Sequence, residues 1–294
     1  MTAPTRTRRQ WVTLGVGAVV LAALCVLAAV WQWHRYTARE AQITLAETNY
    51  GATPVAVAEL LPGPGSVLAD DAGWRPVTLT GTYRPQDTVL LRNRPVAGTA
   101  GFHVLVPFED DSGIVIVVDR GFVPLGRDSS APDDVPAPPS GDVTVTVTLR
   151  PDEPASTRGA PAGQVQAIST AQVLAASPSG AAWAQGRTVV AYGQLRSEDP
   201  APAQVLGALP PPDLDPGSHL SYTVQWVIFA AGAIGGYVLL WRRETRGSQP
   251  TAGDLLLAGG DGDARAPRPP RRRAPSDEEL EDALLARSGR EPGE

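Results

Sequence analysis

Chemistry in this chain would have to come from few side chains: three histidines (His34, His103, His219), one cysteine (Cys25), and carboxylates scattered among turns. Imidazole is the side chain that titrates nearest neutral pH and the commonest metal ligand. Yet the sequence has no G-x-S-x-G, no H-E-x-x-H, no phosphate-cradling glycine loop and no Cys/His cluster with metal spacing. No nucleophile stands beside a base, so the pattern reads as a protein that is not an enzyme. "GDGDARA" near the end lacks the length and terminal glutamate of a calcium loop, and Glu109, Asp110 and Asp111 ahead of Gly113 have the form of a hairpin turn. Both read as solvated surface. A single cysteine excludes a disulfide framework, a Cys-x-x-Cys redox pair and covalent haem attachment, leaving Cys25 as a small apolar side chain. His103 alternates within a strand-like run, where a satisfied or surface imidazole is the usual case. His219 is less ordinary, because it heads "HLSYTVQWVIFAAGAIGGYVLLWRRE", at the lip of what reads as a membrane helix.

The elements that position these residues begin with two apolar runs in a chain that is 43% hydrophobic and 19% charged. Trp11 to Val30 is uncharged throughout, and a helix of that length spans roughly 30 Å of hydrocarbon. It is too long for a signal peptide's apolar region, and Trp31 and Trp33 follow it as interfacial anchors would. Val224 to Trp241 is a second run, bracketed by Trp226 and Trp241 in the positions of an aromatic belt. Gly232 and Gly236 on one run, with Gly15, Ala18 and Ala22 on the other, offer smooth sides for the two helices to pair. Arg6, Arg8 and Arg9 precede the first helix and Arg242, Arg243 and Arg246 follow the second, which predicts a multi-pass protein of the bacterial cell membrane with both termini cytoplasmic. The expected order is a cytoplasmic N-terminus (1–10), a transmembrane helix (11–33), an extracytoplasmic β-rich domain (34–219), a second transmembrane helix (220–241) and a disordered cytoplasmic tail (242–294). Between Tyr36 and Ser218 there are 11 arginines against 20 acidic residues, a balance that argues against nucleic acid as a partner, while the two apolar runs make membrane lipid one.

The segment between the runs has the pattern of a folded domain. Apolar residues alternate with period two over 77–83, 87–93, 102–108, 142–149 and 187–195, and the β-branched "IVIVV" of 114–118 reads as a more buried strand. Six strands of this kind predict a small antiparallel barrel or sandwich. The expected fold class is therefore a membrane protein with two transmembrane helices flanking a mainly-β, α+β domain. "STAQVLAAS", with Ser169 as N-cap, predicts a short helix, and residues 37–48 continue the first membrane helix outward. Proline-rich stretches at 129–141 and 197–218 read as irregular, the second as a strap leading back to the membrane at His219. In the tail, Ser276 with Glu279 forms a capping box for a transient helix carrying Leu280 and Leu284 on one face.

"VVDRGFVP" (117–124) is the remaining signal. Arg120 and Gly121 break a β-branched run, which predicts a strand ending in a turn whose arginine is buried against a carboxylate. At this point the order of motifs becomes informative: "WQWHR" after the first apolar run, "GTYRPQDTVLLRNRPVAGTAGFHVLVPF", "VIVVDRGFVP", "AYGQLR", and "HLSYTVQW" entering the second run. Together, over residues 31 to about 243, they resemble the SURF1 family of cytochrome c oxidase assembly factors. Asp119 and Phe122 stand where the family's turn usually has asparagine and tryptophan, while Arg120, Gly121, Val123 and Pro124 match.

The resemblance implies a role in assembling haem-copper oxidase of the respiratory chain, by holding haem a or easing its insertion into the haem-bearing catalytic subunit, which would be a partner with other oxidase subunits. It places the family's proposed haem-binding histidine on His219; His34, just past the first helix on the same side of the membrane, is by its position a candidate second ligand if the helices pair in antiparallel fashion. Haem a carries an isoprenoid tail suited to lipid and propionates suited to the interface, and neutral imidazole is a good iron ligand. Three alternatives stay open: His219 as a headgroup-level anchor beside Tyr222 and Trp226, the chain as a subunit scaffold without haem, and an extracytoplasmic sensor or envelope-interaction protein. Arg120, Gly121, Tyr222, Gln225 and Trp226 are expected to serve structure or partner contact.

Overall fold

A computed structural model describes residues 6–127 and 130–247; the predicted tail helix and the "GDGDARA" run lie outside them. Two compact units divide the described chain: residues 15–234, and residues 6–14 with 235–247. Helix α1 (Arg8–Tyr50) joins the first apolar run and the predicted 37–48 extension without a break, since no proline or glycine interrupts "WQWHRYTAREAQITLAETNY". At the other end of the chain, one long helix begins at His219 and ends at Gly247. Both helices are long and apolar enough to cross a membrane. In the smaller unit Trp11 meets Tyr237 edge to face at 5.7 Å, and Arg6 pairs with Glu244 at 2.8 Å. A Cβ built on Gly232 or on Gly236 would meet nothing within 4 Å, so the smooth step read from the sequence is not a packing seam among the described residues.

The larger unit carries one eight-stranded mixed sheet. In chain order its elements are β1 (Val55–Ala56), α2 (Val57–Leu60), β2 (Pro76–Tyr83), β3 (Val89–Leu91), β4 (Gly101–Asp110), β5 (Val115–Pro124), β6 (Val143–Pro151), β7 (Gln164–Val165), α3 (Thr170–Ala176) and β8 (Thr188–Asp199); α4 is the helix from His219 to Gly247. The strand order is β1-β2-β6-β8-β5-β4-β3-β7, and the end of β2 also pairs with β4 through Gly81 opposite Asp110, so the path of hydrogen bonds returns on itself through five strands. The sheet is not the antiparallel one expected: β5 and β8 run parallel, Val117 opposite Tyr192 and Asp119 opposite Gln194. A parallel pair needs a long crossover, and the chain between Pro124 and Thr188 supplies it with β6, β7 and α3.

Strand β6 alternates buried and more exposed residues from Val143 to Val147, as its sequence predicts for one solvated face. β4 and β5 do not. Nearly every residue in them is buried, because Phe102, Val104, Val106 and Phe108 face the main core while His103 and Leu105 face a second cluster built with Val89, Leu91, Val165, Ile168 and Val173. The β4–β5 turn is solvated at Asp111 and Ser112, as the sequence predicts, but not at its first carboxylate. Asp110 is buried and its Oδ1 accepts from the backbone N–H of Ser112 and Ile114, closing the turn that Gly113 completes at φ +85°. Ser169 holds the N-cap position of α3 but its side chain does not cap the helix; the carboxylate of Asp152 takes the Thr170 N–H at 2.7 Å in its place.

Candidate functional site

Arg120 and Gly121 do not end their strand. Between the pairs Leu105–Asp119 and His103–Phe122, β5 carries one residue more than β4, and Gly121 takes that irregularity at φ +146°. The interruption read from the sequence is therefore a β-bulge inside a ten-residue strand, placed where a strand next to a cleft is re-aimed. Its effect is local and specific. Residues three apart in a regular strand face opposite ways, but across the bulge Asp119 and Phe122 both flank His103, at 2.8 Å from Nδ1 and edge-on at 6.2 Å between rings.

The bulge sends Arg120 toward the end of the main core. Its Nη2 donates to Glu198 Oε1 at 2.7 Å and its Nη1 to the carbonyl of Pro136 at 3.1 Å, with the guanidinium 5.2 Å from the Tyr83 ring. The side chains of Arg120 and Glu198 are 1% and 5% exposed, so this is a buried ion pair. Burial first, and then the charge of Glu198, push the Tyr83 phenol far above its ordinary range. Beside the pair lies a cavity of about 600 Å³ lined by Tyr50, Leu195, Arg196, Val205 and Leu206. Leu206 and Gly207 belong to the proline-rich strap, and Gly207 exchanges two backbone hydrogen bonds with Phe122 at 2.8 and 2.9 Å. The strap is thus fastened to the bulge before it reaches the helix. Farther on, Arg39 of α1 donates to the carbonyls of Asp213 and Asp215 and to the Asp213 carboxylate.

His103 is buried rather than exposed, and its pairing with Asp119 was not legible in its strand pattern. Burial pushes the Asp119 carboxyl above its ordinary range against the opposing hydrogen bond from His103. His103 Nε2 and Asp119 Oδ1 are buried without partners, so no nucleophile is bonded to this imidazole among the described residues. Tyr192, on the neighbouring strand, is pushed up to about 12, chiefly by burial.

His219 is the first residue of α4, and its Nδ1 lies 2.9 Å from Gln32 Oε1 on α1. An amide oxygen only accepts, so Nδ1 is the donor in this pairing, and in the neutral ring with that tautomer Nε2 is the nitrogen that carries the lone pair. Cys25, Ala29 and Gln32 follow one another at helical spacing, so Gln32 is the polar residue closing a stripe whose two apolar members are buried. That polar interruption was the available sequence signal for Gln32. His34 is exposed, and at 100° per residue it sits about 200° round α1 from Gln32. The two histidines are therefore not brought together. Tyr222 is 46% exposed, Gln225 is exposed, and Trp226 packs edge-on with Phe229 at 5.8 Å. Leu220, Val224 and Val227 beside them are also exposed, leaving an apolar surface around the helix entrance.

Comparison with known proteins gives consistent matches. The profile of the SURF1 family matches residues 19–231. Uncharacterised SURF1-like proteins of Mycobacterium bovis and Mycobacterium tuberculosis are each 36% identical over 256 residues, covering 83% of this chain and 90% of the relative.

Proposed function

Because the chain belongs to the SURF1 family, we propose that it is an assembly factor for cytochrome c oxidase in the cell membrane, presenting His219 to haem a on its way into the catalytic subunit. The observation that carries the haem reading is the bond from His219 Nδ1 to Gln32 Oε1, which leaves Nε2 directed by a neighbouring helix and free of any partner among the described residues. The group fits the residues present. An imidazole whose other nitrogen is held would be a good ligand for haem iron, and the exposed apolar side chains of Leu220, Val224 and Val227 suit an isoprenoid tail. Haem a, when bound, supplies the iron centre that the oxidase later uses. This chain's contribution is to fix one tautomer through Gln32, hold the ring at the start of α4, and keep that point in place through the strap tied to Arg39.

The reading is tested by the absorption spectrum of detergent-purified protein made in cells that synthesise haem a. His219→Ala should abolish the haem spectrum with the melting of the sheet domain unchanged, and Gln32→Leu should weaken haem affinity by about 10–100-fold. Haem retained in a His219→Ala, His34→Ala double variant would sink the ligand role; oxidase subunits that co-purify without haem would leave the scaffold reading in its place.

The proposed orientation, with the sheet domain outside and both termini cytoplasmic, rests on the arginine clusters flanking the two helices. Val205 is 84% exposed on the strap, and Arg246 lies in the last turn of α4. In a Cys25→Ala background, a cysteine at position 205 should be labelled by an impermeant reagent in intact cells and one at position 246 should not. The opposite result inverts the topology.

A further inference from the structure

We propose that the β3–β4 connection forms a binding site for a carboxylate, with Arg92 as its charged ligand. The connection is shaped before any ligand arrives. Val96 and Thr99 exchange backbone hydrogen bonds at 3.1 and 2.9 Å around Ala97 and Gly98, whose φ values are +47° and +78°, and Asn93 sits at +60°. Positive φ at both central positions is what a tight two-residue hairpin turn requires, and asparagine adopts the left-handed conformation readily, so the turn and its surroundings fix the loop's course without a ligand. The surroundings here are strands. The Arg92 N–H donates to Val165 O at 3.0 Å, Leu91 stands opposite His103, and a Cβ at Gly101 would lie 2.2 Å from the carbonyl of Val123, so this wall of the site is backbone at close approach.

Within this frame is a cavity of about 340 Å³ lined by Arg92, Arg94, Pro95, Ala100, Phe102 and Leu125. The two arginines differ. Arg94 is neutralised by a two-point pairing with Glu153, both bonds at 2.9 Å. Arg92 has no carboxylate partner and no side-chain hydrogen bond among the described residues, and its Nε is buried without a partner. A half-buried guanidinium without a counter-charge is costly, and it stands out in a segment whose acidic residues outnumber its arginines. The guanidinium fork matches planar oxyanions, and a single uncompensated charge beside Phe102, Pro95 and Leu125 suits a monoanion attached to an apolar body better than a multiply charged phosphate. Such a carboxylate has two sources, a free organic acid or an acidic side chain of a protein segment.

The site is independent of the haem reading and is tested on the full chain in detergent. With arginine side chains labelled with ¹⁵N, the Arg92 Nε–H resonance should shift saturably on addition of butyrate, standing for a free acid, or of acetyl-glutamate amide, standing for a protein side chain, and should not shift with chloride at equal ionic strength. Arg92→Gln, followed through the backbone amides of residues 93–100, should lose about tenfold or more in affinity, and Arg92→Lys should retain part of it. Tighter binding of butyrate or of the amide identifies the source, and either supports the site. Equal shifts with chloride, preference for inorganic phosphate, or unchanged affinity in an Arg92→Gln protein of normal melting temperature would overturn it.

Discussion

Arg120→Ala should destabilise the sheet domain by about 3–5 kcal/mol, because it leaves the Glu198 carboxylate buried without its partner. The Pro136 carbonyl would lose its donor as well, which loosens the 130–141 segment from the end of the main core. In a domain of this size such a loss lowers the melting temperature by roughly 6–20 °C, measurable by thermal unfolding of the full chain in detergent. Charge alone does not explain the pair. Arg120→Lys keeps the charge but gives up the fork that reaches Glu198 and Pro136 together, so it should recover only part of the stability. Replacing both partners, as Arg120→Met with Glu198→Leu, should recover more than Arg120→Lys does, since no unpaired charge then remains. An unchanged melting temperature in Arg120→Ala combined with loss of oxidase assembly would move Arg120 from a structural role to a partner contact.

What could be read from the sequence follows from the range of the interaction concerned. β2 and β6 were legible because a solvated face writes period two into the chain, and α1 because an uninterrupted helical run needs no distant partner. β4 was legible as a strand but not as one buried on both faces, since its second cover comes not only from the neighbouring β3 but from β7 and α3, elements distant in sequence. The two-residue strands β1 and β7 exist only through their parallel partners and carry no pattern of their own. The same limit governs the candidate sites. Arg120 was visible as an interruption, while its carboxylate is 78 residues away on β8 and entered no local pattern. His219 stood out by position, but Gln32, 187 residues earlier, is what fixes its tautomer. Nothing local to Arg92 or Asp119 shows that, among the described residues, the fold leaves the first without a carboxylate partner and buries the second.

The bulge provides the second large effect, because Gly121 is constrained twice. Its φ of +146° lies where an L side chain is strained, and a Cβ there would stand 2.7 Å from both the Gly207 carbonyl oxygen and Leu206 Cβ. The strain costs about 1–3 kcal/mol. The contact adds to it, since the nearest atoms are backbone and the root of a side chain, neither of which can swing away. Relief must come from the strap, and the strap is held at this point by the paired bonds between Phe122 and Gly207. Gly121→Ala should therefore break those two bonds, at roughly 1 kcal/mol each, for a total of about 3–5 kcal/mol. Gly141→Ala separates the two causes: φ there is +82° with nothing within 4 Å of the added Cβ, so it should cost only about 1 kcal/mol of backbone strain. Amide hydrogen exchange gives the decisive reading. In Gly121→Ala, protection should be lost at Phe122 and Gly207 and kept at the β2–β6 pairs from Val77 to Gly81, because the strap releases before the sheet does. If Gly207 stays protected while the whole sheet loses protection together, the bulge is part of the core and the strap is not fastened by it. If the strap does release, the chain leading to His219 is freed from the β5 end, and haem affinity should fall with no change to His219 or Gln32 themselves.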